Sequence, residues 1–150
     1  MGKKRVVQKT EEEVLKESEK IEAKMKKEVK LPRAVQEKEG RIYISSSYNN
    51  TIITLTDSKG NVLTWASAGS IGFKGTKKAT AFAASKTAEV LCERAKKLKI
   101  NKVKLFIKGI GSGRDSAART IAASGLDIVS VADITPIPHN GCRPKKPRRV

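Results

Sequence analysis

The sequence predicts an α/β protein with a mixed five-stranded sheet, its elements following in the order strand, strand, strand, helix, strand, helix, strand. Three observations predict it. The first short β-branched runs are separated by polar turn residues, as in an antiparallel meander. The later strand-like runs are separated by helical stretches, and a helix between two strands gives a parallel, right-handed crossover. Finally, 150 residues suffice for one modest core but not for two. With 4% aromatic residues, that core has to be aliphatic.

Residues 1–40 form a charged leader, with 12 Lys/Arg against 9 Asp/Glu. Thr10 and Glu13 fit a capping box, and the pairs Glu12/Lys16 and Glu22/Lys26 support a helix to about Lys30, ended by Pro32. Its apolar stripe of Val14, Ile21 and Met25 is thin, so the expectation is a solvated arm and not a dedicated docking helix.

The domain spans 41–135. Residues 41–48 (RIYISSSY), 51–56 (TIITLT) and 62–67 (VLTWAS) read as the first three strands, joined through Asn49-Asn50 and the polar stretch 57–61. Residues 68–78 (AGSIGFKGTKK) form a glycine-punctuated loop carrying Phe73 and three lysines. Residues 79–98 predict a helix, because Ala84, Ala88, Leu91, Ala95 and Leu98 recur at helical spacing while Lys86, Lys96 and Lys97 fall off that stripe. Residues 102–121 (KVKLFIKGIGSGRDSAARTI) give a fourth strand, a loop with glycine at 109, 111 and 113, and a helix opening on Asp115 or Ser116. Residues 128–134 (IVSVADI) give the fifth strand.

The glycine loop before the second helix has two readings, and the residues leave both open. Glycines let a backbone approach a bulky partner, and a helix start offers free N–H groups to an anion such as phosphate. They also make tight strand-to-helix turns. Arg114 and Arg119 favour the anion. No nucleotide signature accompanies them: no Lys-Ser/Thr pair closes a P-loop, and GIGSGR lacks the third glycine of GxGxxG.

Charge carries the main functional signal. The chain holds 32 basic and 15 acidic residues, net +17, and residues 41–150 hold +14 of that. So much self-repulsion goes with a polyanionic partner, nucleic acid first. The tail over 136–150 (PIPHNGCRPKKPRRV) adds four prolines and five cations without an acid, an extended segment suited to tracking a phosphate backbone. Asn140-Gly141 within it reads as a turn. No apolar run approaches the ~18 residues of a membrane span, and no apolar segment follows the basic start as in a signal peptide, so a soluble, cytoplasmic protein is expected.

Catalysis and metal binding find little support. Cys92 and Cys142 lack CxxC spacing, His139 is the single histidine, and Cys92 reads as a buried small hydrophobe. The strand order resembles that of ribonuclease H-like domains, which hold divalent metal with acids on central strands. Asp57, Asp115, Asp127 and Asp133 each have a separate structural explanation, so no two-metal site is expected and a metal-dependent nuclease is the weaker alternative. No cofactor and no small-molecule substrate are implied.

Five blocks, in order, resemble a known family: residues 49–57 (NNTIITLTD), 65–69 (WASAG), 72–78 (GFKGTKK), 109–117 (GIGSGRDSA) and 133–144 (DITPIPHNGCRP). Together they are similar to the eleventh protein of the small ribosomal subunit, in its bacterial-type form. The resemblance implies a ribonuclease H-like three-layer α/β/α fold without activity. It further implies binding of small-subunit ribosomal RNA on the platform, near the messenger exit and Shine-Dalgarno cleft, beside platform proteins seven and eighteen with the messenger leader close by. An inactive ribonuclease H-like module that binds RNA or DNA outside the ribosome is the alternative.

Carried onto this sequence, the family's RNA contacts fall on Asn49, Asn50, Phe73, Lys74, Gly75, Thr76, Lys77 and Lys78, on Gly111, Ser112, Gly113 and Arg114, and on the tail. In the tail they are His139, Asn140, Arg143, Lys145, Lys146, Arg148 and Arg149. Ser116 and Arg119 join them as a small polar group and a cation beside the glycine loop. Two departures stand out: the leader is longer than the family's usual short basic start, and Asp115 replaces the usual glutamate.

Overall fold

The computed structural model describes Glu19, residues 39–143, and residues 145 and 146. The helix expected in the leader, and Arg148 and Arg149 of the tail, lie outside the described residues. Five strands form one sheet: β1 (Glu39–Ser46), β2 (Thr51–Thr56), β3 (Val62–Ser67), β4 (Lys102–Gly109) and β5 (Asp127–Asp133), in the spatial order β3-β2-β1-β4-β5. β2 runs antiparallel to β1 and β3, while β4 is parallel to β1 and β5 to β4. The sheet is mixed, as expected.

Three helices connect these strands: a single turn α1 (Ala68–Ile71), α2 (Ala81–Lys97) and α3 (Gly113–Ala123). The two long helices pack on each other, α2 over β2 and β3 and α3 over β1 and β4. Both crossovers, β3 to β4 and β4 to β5, step the same way across the sheet, and right-handed connections stepping one way place their helices on one face. The expected second helical layer is therefore not among the described residues, which form two layers.

The core lies between that helix pair and the sheet. Ile42, Ile44, Ile53, Leu55, Leu105 and Ile107 point inward from alternate strand positions, and the predicted stripe Ala84, Ala88, Leu91, Ala95 and Leu98 meets them, all buried. Cys92 is buried among them, as its reading expected. Alanine at the helix crossing lets the backbones come close.

The element boundaries move for physical reasons. β1 begins and ends two residues earlier than its local pattern predicts. Its start is fixed by pairing with β4, Glu39 opposite Lys102, and its end by a turn in which Ser47 N–H donates to Asn50 O at 2.9 Å and Asn50 N–H donates back to Ser47 Oγ at 3.2 Å. The lysine loop is more ordered than expected. Ser67 and Ser70 cap α1 reciprocally, and residues 75–79 form a 3₁₀ segment that hands over to α2 at Thr80, whose hydroxyl accepts from Ala83 N–H at 3.2 Å.

Candidate nucleic-acid interface

β1, β3, β4 and β5 are mutually parallel, so their carboxyl ends share one edge of the sheet. The 47–50 turn, the 68–80 segment, the 110–112 loop and the start of the tail all emerge there. In open α/β sheets this edge is where ligands bind. The structure thus brings together, at one edge, three clusters that stand far apart in sequence: Asn49 and Asn50, Lys74 to Lys78, and Gly111 to Ser116. Ser112 Oγ donates to Ala79 O at 2.7 Å and joins the lysine segment to the glycine loop. Arg119 is exposed further along α3, and His139, Asn140, Arg143, Lys145 and Lys146 are exposed on the tail. Asn140 has φ of 54°, the left-handed turn geometry that its Asn-Gly pair predicts.

The glycine loop resolves its two readings. A Cβ on Gly109 or Gly111 would collide with the backbone of Ser46 or Ser47, and one on Gly113 would lie 2.5 Å from Thr51 Oγ1 and 2.6 Å from Ala84 Cβ. Gly111 and Gly113 are buried. These glycines let the loop and the start of α3 pack against the ends of β1 and β2 and against α2; they do not open a backbone cradle. Gly75 differs, with φ of 54° and no heavy atom near a Cβ position, so it turns the lysine segment in open space.

The start of α3 is poorly suited to an anion. Ser112, at the N-cap of α3, makes no capping hydrogen bond, and Asp115 sits exposed in the first turn. Asp115 suits the helix dipole, but its charge opposes a phosphate there. Lys74 and Lys77 are exposed and Lys78 half-buried.

Arg114 has another task. Its Nη2 donates to Asp133 Oδ2 at 2.5 Å and its Nη1 to Gly109 O at 3.1 Å, while Thr135 donates its hydroxyl to Asp133 Oδ1 at 2.6 Å. This clasp ties the glycine loop to the point where the tail leaves β5. The Thr135 hydroxyl and then the Arg114 guanidinium hold the Asp133 carboxyl well below the usual carboxylate range. A depressed folded pKa gives stability that is complete above the unfolded carboxylate value of about 3.9 and lost as the pH falls below it. Thermal melts across the acid range should therefore show the parent losing stability below about pH 4, with Asp133→Asn less sensitive over that interval. Parallel curves would mean that the clasp adds nothing.

Phe73 has two readings from its sequence, a ring that stacks on a base or a lid on its own core, and its packing fits the lid: the residue is 8% exposed and clusters with Ala68, Ile71, Ala83 and Val90. Beside it Phe82 is exposed, set edge-on to Phe73 with ring centroids 6.1 Å apart and with Lys86 Nζ 5.9 Å from its centroid. Sequence reasoning passed over Phe82, though its place off the apolar stripe in the first turn of α2 was a usable signal. It also passed over Tyr48 and Ile110, both strongly exposed at the loop edge. Asn50 turns its Oδ1 inward, where it has no hydrogen-bond partner among the described residues.

Among the described residues the acids do not converge. Asp57 accepts from Asn61 N–H at 2.8 Å and Asn61 Nδ2 at 2.9 Å, closing the β2–β3 turn, and those bonds lower its pKa. Asp57 and Asp127 lie at the edge opposite Asp115 and Asp133, roughly 20 Å away along an eight-residue strand.

The family model for ribosomal protein S11 matches residues 40–149. The chain belongs to the ribosomal protein S11 family. Over 112 residues it is 56% identical to the small ribosomal subunit protein uS11 of Borreliella burgdorferi (strain ZS7), covering 75% of this chain and 86% of that protein. It is 53% identical over 112 residues to the uS11 of Treponema pallidum (strain Nichols), covering 75% and 89%. The bacterial-type resemblance read from the five blocks is thereby established, and with it a structural ribosomal protein that is not an enzyme. The match starts where the charged leader ends.

Proposed function

We propose that this S11-family protein is a constituent of the small ribosomal subunit in the cytoplasm, where its loop edge and tail bind and bridge helices of the small-subunit ribosomal RNA. One observation carries this reading: parallel strands deliver the Asn49-Asn50 turn, the Lys74–Lys78 segment, the Gly111 loop and the tail to a single edge. Lysines there supply affinity, with log K falling by about 0.9 per neutralised phosphate per decade of salt on a duplex. Small polar groups, Asn49, Ser112 and Ser116, reach 2′-hydroxyls in the shallow minor groove of folded RNA where long side chains do not fit. The platform, beside proteins seven and eighteen and near the messenger exit and the messenger leader, is the position we assign to it.

The tail provides the test. Among the described residues, none after Thr135 hydrogen-bonds to the body, whereas Gly109 N–H donates to Thr135 Oγ1 at 3.1 Å. Truncation after Thr135 should leave circular dichroism and the urea midpoint unchanged while incorporation into small subunits, read by sedimentation, falls severalfold. Equal incorporation of truncated and full chains would contradict the bridging role.

A further inference from the structure

The sheet face turned away from the helices carries its own pattern. Trp65, Thr54, Tyr43, Phe106 and Ala132 lie in one row across all five strands, each the register partner of the next. Tyr43 and Phe106 stack with centroids 5.0 Å apart, Trp65 is 54% exposed, and Ile52 in the neighbouring row is 42% exposed. Alternation along β4 puts Lys102, Lys104 and Lys108 on the same face as Phe106, about 6.6 Å apart from one position to the next. Arg41 is the register partner of Lys104. Among the described residues, the acids facing this side, Glu39 and Asp127, both pair with Lys102 in the last row, away from the rings.

We propose that this open face is a second RNA-contacting surface, which takes an unpaired stretch of RNA with a base against Trp65 and phosphates on Arg41, Lys104 and Lys108. The inference rests on the RNA-binding reading above but assigns a surface that reading does not use. Charge complementarity selects the occupant: cations interleaved with aromatic rings, and acids confined to one end, fit a polyanion that also presents flat π faces. The platform for Trp65 is firm, because Arg94 of α2 donates Nη1–H to Trp65 O at 2.7 Å and fixes the strand from behind. A pocket lined by Arg41, Ser58, Lys102 and Lys104, and by the acid Glu39, lies at the far end of the sheet.

Trp65 is the only tryptophan in the chain, so its fluorescence reports on this face alone. The full-length protein is titrated with a short, unstructured, end-labelled oligouridylate, and Trp65 emission is followed together with label anisotropy. Quenching should be saturable, track the anisotropy and weaken with salt. Reversing two exposed charges, Lys104→Glu with Lys108→Glu, should weaken both signals about tenfold, and Trp65→Ala should weaken the anisotropy signal at least about fivefold. The Lys74, Lys77 and Lys78 alanine variant should keep the quenching. Oligouridylate binding without quenching overturns the inference while leaving the loop edge intact as an RNA site. Quenching indifferent to the Lys104/Lys108 reversal also overturns it. So does Trp65 emission that is blue-shifted in the free protein and moves to the red on removal of residues 1–38, since the chain's own leader then covers the face. No binding at all would remove both readings together.

Discussion

Replacing Gly109 by alanine is expected to cost about 3 kcal/mol of folding stability, more than an ordinary loop substitution, because two penalties fall on one atom. Gly109 has φ of 101°, where an L side chain is strained by roughly 1–2 kcal/mol. The added Cβ would also collide with the Ser46 carbonyl oxygen. That oxygen belongs to the backbone of the central strand and accepts the Gly111 N–H at 3.2 Å, so it cannot swing aside as a side chain could. Overpacking of this kind adds roughly 1–3 kcal/mol. Gly125 separates the two penalties: its φ is 82°, but no heavy atom lies within 4 Å of a Cβ position. Urea denaturation should show Gly125→Ala costing about 1 kcal/mol, well short of Gly109→Ala. Equal costs would mean that backbone strain alone explains the glycine and that close packing against β1 contributes nothing.

That same loop shows where the sequence is legible and where it is not. Glycine at 109, 111 and 113 announces that a Cβ is excluded, but not whether the excluding neighbour is a phosphate or the chain's own Ser46, Thr51 and Ala84, because that neighbour is brought in by long-range pairing. β2 and β3 are readable to the residue, since period-2 alternation and polar turns are local signals. β1 is not, since its start depends on β4, some sixty residues later in the chain. The helical stripe of α2 predicts its buried face correctly, yet the placement of both long helices on one side of the sheet follows only from the strand order β3-β2-β1-β4-β5. At the candidate site, the lysine segment and the Asn49-Asn50 turn can be identified from residue type. The clasp of Arg114 with Asp133 cannot, because it diverts a cation that the sequence offers to phosphate.

With Arg114 engaged, the lysine segment becomes the main cationic element of the loop edge, and its removal should have the largest effect on RNA binding. Changing Lys74, Lys77 and Lys78 together to alanine should reduce affinity for small-subunit ribosomal RNA by at least about tenfold and lessen the slope of log K against log salt by about 2 to 3, near one unit for each phosphate no longer neutralised. Folding should be nearly unaffected. The bonds that shape the segment use the Lys77 carbonyl and the Thr80 hydroxyl, which the substitutions retain, and the nearby core is sealed by Phe73. The decisive control removes the same charge elsewhere. Lys96, Lys97 and Lys99 are exposed where α2 ends, at the opposite edge of the sheet. If net charge alone attracts RNA, the two triple variants will lose affinity and salt dependence equally, and the loop edge will lose its claim to be the interface. If phosphates dock on the loop edge, the far-edge variant will retain most of its affinity and its salt slope.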